Sequence, residues 1–223
     1  MRMLATFEKS ERLRHIGHLD ILRAMQRALR RSGLPVAYSN GFNPHILLSF
    51  ASALPVGAAG TCEVMEVAMA EETSPEEFLR RMNGALPPEM RLSGARSVDD
   101  RHPAVMSLVR AARYEIRFRD PADADAVGAV LPDYLARTEI ITERKSKSGI
   151  KPCDIRPLIH DLRMSGGVLY AELALTETLS CKPVMLLKTL GESIGKEEIR
   201  ALVVRTRLLG EDAGGRRVPV EEL

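Results

Sequence analysis

The sequence predicts an α+β fold made of two tandem ferredoxin-like domains, with antiparallel sheets that carry helices on one face. Two observations predict it. Segments in which apolar and polar residues alternate, as in half-buried strands, are interspersed with segments of helical periodicity. In the first half their order is strand, helix, strand, strand, helix, strand, and the second half repeats it. This order is the ferredoxin-like βαββαβ motif.

The first half contains six predicted elements. They are a strand at Met3–Glu8, a helix at Leu19–Arg31, strands at Ile46–Ala51 and Cys62–Ala70, a helix from Ser74 to about Gly84, and a strand at Arg91–Val98. The second helix has the clearest start signal. Ser74 suits the N-cap, Pro75 the first helical position and Glu77 the third.

The second half follows the same pattern. Its predicted elements are a strand at Arg113–Arg119, a helix at Pro121–Arg137, a strand at Glu139–Lys145 that leaves into the loop SKSGIKP, a hairpin of Asp154–Met164 and Val168–Thr176, a helix at Lys182–Gly191 and a strand at Leu202–Leu209. The polar segment DDRHPA marks the boundary between the halves. The predicted domains are therefore residues 1–100 and 112–209, with a linker at 101–111 and a flexible polar tail at 210–223.

Composition excludes several classes of protein. The net charge of +2 is too small for a general polyanion binder, so a nucleic-acid surface would need local clustering of charge. Aromatic residues make up only 4% and Trp is absent, which argues against a binder built on base-stacking platforms. No apolar run approaches the roughly 18–20 residues that cross a bilayer. The three isolated cysteines fit reduced thiols, and none lies at metal-ligand spacing, so we expect a cytoplasmic protein without a metal site.

The first predicted helix carries a cationic stripe. Its inner face is mostly apolar and consists of Leu19, Leu22, Met25, Gln26 and Leu29. The opposite side carries charged residues, namely Asp20, Arg23, Arg27, Arg30 and Arg31. The planar guanidinium group of arginine suits bidentate contact with phosphate or carboxylate. The stripe is either a solvated helix face or a binding surface for an anionic ligand.

The loop after this helix is rich in hydrogen-bonding side chains. It comprises Tyr38, Ser39, Asn40, Gly41, Phe42, Asn43, Pro44 and His45. One interpretation is a structural turn with Phe42 packed into the core. The other is a binding loop, since polar side chains on a rigid loop are typical of binding sites. His45, and His18 at the start of the helix, are the candidate catalytic residues, because an imidazole can exchange protons near neutral pH.

A second basic segment lies in the second half. Its candidate binding residues are Arg144, Lys145, Lys147 and Lys151. Such runs are often solvated loop tips, but flexible basic loops also contact nucleic-acid backbones without reading sequence.

Several of these residues belong to motifs that resemble one known family. The segment HLDxxRxxxRALRRSGLPVAYSNGFNPHxxLSFAxALPVG and the strand EVMEV are similar to the radical SAM-linked protein family, a bacterial domain of unknown function encoded beside or fused to a radical-SAM protein. Shorter matching motifs are Asp154-Ile155-Arg156-Pro157, Lys182-Pro183 and Arg205-Thr206. The resemblance adds Asp154 and Arg156 to the candidate site. It implies a separate radical-SAM partner that would carry an iron–sulfur cluster and S-adenosylmethionine, since this chain lacks a clustered three-cysteine motif.

The functional expectation is a non-catalytic adaptor that binds RNA, such as tRNA or rRNA, or another anionic substrate for that partner. Two alternatives stay open. One is a metal-independent ribonuclease or transferase that uses His45 or His18, with Arg23 or Arg27 stabilising phosphate charge. The other is a structural subunit that docks the radical-SAM enzyme.

Overall fold

A computed structural model describes residues 1–146, 149–176 and 178–223. The fold is mixed α+β with mostly antiparallel strands. The chain divides into two compact units: unit 1 is Met1–Arg110 with Arg205–Leu223, and unit 2 is Ala111–Val204. This division differs from the predicted domains, because the chain returns to unit 1 at Arg205, whose side chain is bound inside that unit.

Unit 1 contains two long helices, one short helix, five complete strands and part of a sixth strand. They are β1 (Arg2–Lys9), α1 (His18–Ser32), β2 (Leu48–Phe50), β3 (Ala58–Ala68), α2 (Pro75–Ala85), β4 (Leu92–Val98), α3 (Val105–Leu108), the part of β10 (Ala201–Glu211) from Arg205 onward, and β11 (Arg217–Pro219). The strand order is β4-β1-β3-β10, with β2 paired to β3 and β11 paired to β10.

Helices α1 and α2 pack on one face of the unit 1 sheet. Strand side chains alternate between faces, so one set of positions meets the helices. The core is formed mainly by Met3, Ala5, Phe7, Ile21, Met25, Leu29, Met65, Val67, Phe78 and Met82. The predicted start of α2 is confirmed: Ser74 is the N-cap and its Oγ accepts the N–H of Glu77 at 3.2 Å.

The predicted inner face of α1 needs one correction. The buried positions are Ile21, Met25, Ala28 and Leu29, whereas Leu19 is 61% exposed. The side chains of residues i and i+2 in an α-helix point about 200° apart. Because Ile21 faces the core, Leu19 faces solvent. The helix, predicted at Leu19–Arg31, ends one residue later at Ser32, and its C-cap is Gly33, whose φ of 65° is left-handed.

Unit 2 also consists of antiparallel strands and helices. Its elements are β5 (Ala111–Phe118), α4 (Pro121–Ala136), β6 (Ile141–Ser146), β7 (Gly149–Asp154), β8 (Ile159–Ser165), β9 (Val168–Ala174), α5 (Pro183–Ser193) and the first residues of β10. The order is β10-β5-β9-β8, and β6 and β7 form a separate two-stranded ribbon. The hairpin between β8 and β9 turns at Gly166 and Gly167, as predicted.

Four predicted segments differ in the structure. Residues 149–152 of the loop SKSGIKP belong to β7, which pairs with β6, and the predicted strand Asp154–Met164 is interrupted by a 3-10 turn at Arg156–Leu158. The linker contains α3, whose Val105 is buried. The tail is ordered: β11 pairs with β10, and Asp212 accepts the N–H groups of Gly214 and Arg216 to form the turn between them.

Candidate functional site

The outward face of α1 presents two arginines without acidic partners. Asp20 and Arg23 form an exposed ion pair at 3.1 Å, a contact of small energetic value in water. Arg27 and Arg30 are exposed, and neither makes a hydrogen bond or ion pair within the part of the chain that the structure describes. These two guanidinium groups lie one helical turn apart and are open to an external anion.

Arg31 has a structural role instead. Its Nη2 donates to the carbonyl oxygen of Ala85 at the end of α2, at 2.7 Å. In return, Arg81 on α2 donates to the carbonyl oxygen of Gly33 at the end of α1, at 3.0 Å. Each arginine satisfies a carbonyl that the other helix leaves without an internal partner. The structure therefore separates Arg31 from the open arginines of the predicted stripe.

The loop Tyr38–His45 is closed by hydrogen bonds across its base. The N–H of Ser39 donates to the carbonyl oxygen of His45 at 2.9 Å, and the N–H of His45 donates to Ser39 Oγ at 3.1 Å. Ser39 Oγ also lies 2.8 Å from His45 Nδ1. A bridge between Tyr38 and Ile46 continues the pairing. The base of the loop is therefore fixed in register.

The tip of this loop is fully open to solvent. Phe42 has a relative exposure of 106%, so it is not packed into the core as one interpretation expected. Asn40, Gly41 and Asn43 are also exposed, and Gly41 has a φ of 119°, which favours glycine. Tyr38, at the base, is 47% exposed. The loop thus presents an aromatic ring between two amide side chains.

His45 lines a groove that contains none of the α1 arginines. The groove is lined by Arg2, His45, Ile46, Leu47, Leu48, Ser49, Glu66 and Ala68. In the paired strands, Ser49 and Glu66 are opposite each other and alternate with Phe50 and Met65, which are core residues under the helices. The groove therefore lies on the face of the unit 1 sheet opposite α1, so the predicted arginine stripe and His45 do not share one pocket.

His18 lies beside a buried charged cluster on the helix-covered face of unit 1. Its ring meets the ring of Phe50 edge-on, with centroids 5.2 Å apart. Both rings line a cavity of about 10 Å³ together with Phe7, Lys9, Ile21, Ser52, Leu54 and Glu63. That volume holds about one water molecule. His18 has little space here for a substrate.

Sequence reasoning missed the charged cluster itself. Arg205, Glu63 and Lys9 are each at most 2% exposed. Arg205 Nε donates to Glu63 Oε1 at 2.8 Å, and its Nη2 donates to Glu63 Oε2, so the pair is bidentate. Lys9 Nζ donates to two backbone carbonyls, those of Arg14 at 3.2 Å and Ile16 at 2.9 Å. The sequence did contain a signal for this cluster: Glu63, in the motif EVMEV, and Arg205, in the motif Arg205-Thr206, are charged residues within apolar strands. Charged residues are rarely buried unless they are paired.

Burial lowers the pKa of Lys9 below its usual value, while the charge of Glu63 partly opposes this effect and that of Arg205 adds to it. Between the lowered pKa and the ordinary value, the unfolded chain binds more protons at this position than the folded chain. We therefore expect the unfolding free energy of the wild type, relative to Lys9→Met, to rise with pH over the interval between the lowered pKa and about 10.5, with a slope of at most about 1.4 kcal/mol per pH unit. Urea titrations of both proteins at several pH values measure this difference, and a difference independent of pH would contradict it.

Asp154 and Arg156 hold unit 2 together by binding backbone groups. Asp154 Oδ1 accepts the N–H of Ile140 at 2.8 Å and that of Arg156 at 2.9 Å. The guanidinium of Arg156 donates to the carbonyl oxygens of Leu135 and Arg137, at 3.0 and 3.1 Å, at the end of α4. Both side chains thus make structural hydrogen bonds to backbone groups of unit 2.

The basic segment of unit 2 belongs to the β6–β7 ribbon. Arg144 and Lys151 are directly opposite each other. Arg144 donates to the carbonyl oxygen of Thr178 at 3.5 Å, and Lys151 is exposed. Lys145 lies in β6, and Lys147 lies outside the described residues. Like charges directly opposite each other destabilise a pair of strands slightly. An external anion bound between Arg144 and Lys151 would reduce their mutual repulsion.

Two further observations concern metals and membranes. Among residues 1–146, 149–176 and 178–223, no group of three or more His, Cys, Asp or Glu side chains is arranged to hold a metal ion. Of the helices in these same ranges, none combines the length and apolar character that crossing a bilayer requires.

Comparison with models of protein families identifies the family of this chain. A search of curated proteins finds no match. A family model described as "Uncharacterized protein conserved in bacteria (DUF2344)" matches residues 2–189, which include α1, the Tyr38–His45 loop, the groove and the β6–β7 ribbon. The chain therefore belongs to this family of uncharacterized bacterial proteins.

Proposed function

We propose that the chain is a cytoplasmic RNA-binding adaptor that holds its RNA through unit 1. The observation that carries this proposal is Phe42, a fully exposed aromatic ring at the tip of a loop whose base is fixed by hydrogen bonds. A large apolar ring held rigidly in water has no stabilising role in the isolated chain. Proteins that recognise unpaired RNA stack bases on such rings and bind base edges with amide side chains like those of Asn40 and Asn43. The low aromatic content argues against a platform of several stacking rings, and the proposal requires only this one.

The open arginines supply the matching electrostatic contribution. Arg27 and Arg30 bring two positive charges to one exposed helix face without internal carboxylates to neutralise them. Guanidinium groups bind phosphate oxygens bidentately, and such contacts give affinity without sequence preference. In unit 2, the opposed Arg144 and Lys151 on the β6–β7 ribbon offer a second phosphate contact.

The architecture supports tandem ferredoxin-like domains as part of the proposal. In unit 1 the order β4-β1-β3, with β2 on β3, places the first and third strands at the centre. In unit 2 the order β10-β5-β9-β8 does the same, and the β6–β7 ribbon is an insertion into that pattern. Function is not inferred from this likeness, because one fold hosts many activities.

The proposed partner is a separate radical-SAM enzyme. This part rests on the motifs of residues 18–57 and 63–67, which resemble the radical SAM-linked family. The adaptor would hold the RNA while the partner, with its iron–sulfur cluster and S-adenosylmethionine, modifies it. Purification of the chain from its bacterial host, followed by identification of bound protein and RNA, tests this assembly directly. Recovery of RNA without any radical-SAM protein would contradict the proposed partner and support the proposed RNA binding.

The double variant Arg27→Gln/Arg30→Gln tests the phosphate contacts. For single strands, log K falls with log salt by about 0.7 for each phosphate that the protein neutralises. Loss of two contacts should therefore reduce the magnitude of the slope by about 1.4. Fluorescence anisotropy with a labelled single-stranded RNA at several salt concentrations measures the slope.

The control is Arg12→Gln/Arg101→Gln, which removes the same charge from two other exposed sites of unit 1. Its salt slope should remain close to that of the wild type. If the two double variants lower the slope equally, net charge rather than the α1 face determines binding, and the proposed site is wrong.

One observation favours a second candidate function, a metal-independent ribonuclease or transferase. Ser39 Oγ and His45 Nδ1 are 2.8 Å apart, and His45 is exposed. A hydrogen bond at Nδ1 fixes the tautomer of an imidazole and leaves Nε2 for proton transfer. Incubation of the chain with end-labelled RNA tests this function. Cleavage or transfer that disappears in His45→Ala would support this catalytic function. Turnover that is unchanged in both His45→Ala and His18→Ala would contradict it.

The remaining alternative is a docking subunit. A chain that co-elutes with a radical-SAM partner and carries no RNA would support that function instead.

A further inference from the structure

One loop of unit 1 is apolar although it faces solvent. It lies between β2 and β3, and its residues 53–57 (ALPVG) carry no side chain that can donate or accept a hydrogen bond. Ala53, Pro55 and Val56 are exposed, and Val56 has a relative exposure of 64%. Loops that face solvent are usually rich in polar side chains as well as Gly and Pro. Exposed apolar side chains concentrated in one place indicate a surface that another molecule covers.

The segment that leads into α1 carries further exposed apolar side chains. The N–H of Gly57 donates to the carbonyl oxygen of Arg14 at 2.8 Å, which joins the loop to this segment. Ile16, two residues after Arg14, is 39% exposed, and Leu19, in the first turn of α1, is 61% exposed. We call Ile16, Leu19 and residues 53–57 the apolar patch. It lies near the N-terminal end of α1.

The buried charged cluster holds both parts of the apolar patch in place. Lys9 Nζ donates to the carbonyl oxygen of Ile16 at 2.9 Å. Arg205, in its ion pair with Glu63, donates to the carbonyl oxygen of Ser52 at 3.1 Å, at the start of the loop. Segments that are already fixed lose little conformational freedom when a partner binds, which favours affinity. The apolar patch is therefore preorganised for an interaction.

Cationic side chains flank the apolar patch. Residues 12–23 include three arginines and one acidic residue, Asp20, which is paired with Arg23. The side chain of Arg12 is 86% exposed and makes a long ion pair, at 3.6 Å, with Glu89. Interfaces are arranged so that a positive rim meets a negative one. A complementary surface would therefore combine apolar side chains with carboxylates at its rim.

This chemistry favours a protein over RNA as the occupant. Proteins bind unpaired bases by stacking them on aromatic rings or guanidinium planes and by hydrogen bonds to the base edges. The side chains of residues 53–57 provide none of these contacts. Branched aliphatic side chains such as those of Ile16, Leu19 and Val56 instead suit the apolar side chains of a protein surface.

We propose that the apolar patch is the docking site of the radical-SAM partner, which would bind it through apolar side chains flanked by carboxylates. This inference rests on the proposed function and assigns the two ligands of unit 1 to different surfaces. RNA would contact the ring of Phe42 and the guanidinium groups of Arg27 and Arg30, in the second half of α1. The partner would contact the apolar patch at the start of that helix.

Calorimetric titration of the full chain with the radical-SAM protein that is recovered with it, after RNase treatment of both, tests the docking site. We expect Leu19→Asp and Val56→Asp each to weaken this binding at least about tenfold, because each places an unpaired carboxylate in an apolar interface with an acidic partner. Val184→Asp is the matched control. Val184 is the second residue of α5, as Leu19 is of α1, and is 67% exposed. Its variant should bind within about twofold of the wild type.

Two alanine variants separate docking from RNA binding. Val56→Ala shortens an apolar side chain of the patch and should weaken partner binding severalfold, with no change in affinity for RNA in the absence of the partner. Phe42→Ala should do the reverse, because its ring lies in the Tyr38–His45 loop and outside the apolar patch.

The outcomes distinguish the docking site from the function on which it rests. Partner binding that is unchanged in both aspartate variants, or weakened equally in Val184→Asp, would overturn the docking site while the partner stands. Recovery of no radical-SAM protein with the chain would overturn the partner and the docking site together, and the RNA assays would decide RNA binding separately. Circular dichroism of each variant at the assay temperature confirms that it is folded.

Discussion

Replacement of Arg205 by methionine is expected to lower the unfolding free energy of the chain by about 3–5 kcal/mol, the usual cost of leaving one partner of a buried ion pair behind. Arg205 is 1% exposed, and its guanidinium binds Glu63 through two nitrogens and also donates to the carbonyl oxygen of Ser52 at 3.1 Å. Methionine fills similar space but donates no hydrogen bond. Glu63 would keep its buried charge with only the nearby Lys9 to oppose it.

Two controls distinguish this effect from simple loss of a side chain. Glu63→Leu/Arg205→Met removes both charges and should be less destabilising than Arg205→Met alone, because no unpaired charge remains. Arg207→Met removes a guanidinium of unit 1 that is 41% exposed and paired with Glu221, and should cost about 1 kcal/mol or less. Urea unfolding followed by circular dichroism measures all four proteins. A cost below about 1 kcal/mol for Arg205→Met would show that the pair does not stabilise the fold.

Phe42→Ala should weaken RNA binding about 5- to 150-fold, because stacking of one base on an aromatic side chain contributes about 1–3 kcal/mol. The same change should leave the unfolding free energy within about 0.5 kcal/mol of the wild type, since the ring is fully exposed. A large loss of affinity without loss of stability is the expected signature of a residue that acts only on a ligand.

Phe42→Tyr keeps a stacking surface and should retain most of the affinity. Val56→Ala shortens another exposed apolar side chain of unit 1 and should have no effect on binding. Anisotropy titrations with single-stranded RNA provide the affinities. Wild-type affinity in Phe42→Ala would show that the loop tip makes no contact with RNA, whatever the α1 arginines do.

Local patterns predicted most of the elements correctly. The order of strands and helices in the first half and the N-cap of α2 at Ser74 depend on residues adjacent in the chain, whereas in the second half β7 was predicted as a loop. The predicted orientation of α1 was wrong at Leu19, because Leu19 and Ile21 are both apolar and only the position of the sheet decides which of them is buried. The prediction of a flexible tail at 210–223 was wrong, because the tail is ordered by the pairing of β11 with β10, which composition does not reveal.

The candidate site was harder to predict because long side chains reach partners far away in the sequence. Arg31 and Arg156 read as candidate ligand-binding residues, yet each binds carbonyl groups at the end of a neighbouring helix. Glu63 and Arg205 are 142 positions apart, and only the folded chain brings them together. By contrast, Phe42, Arg27 and Arg30 lie within one continuous segment, so the sequence could indicate them as candidate binding residues.

The most direct measurement is filter binding of total RNA from the bacterial host to the full chain at several salt concentrations. If unit 1 presents its arginines and its exposed ring to RNA, the logarithm of the affinity should fall linearly with the logarithm of the salt concentration. The Phe42→Ala and Arg27→Gln/Arg30→Gln proteins should bind more weakly in the same assay. Absence of salt-dependent affinity for any cellular RNA would contradict the account.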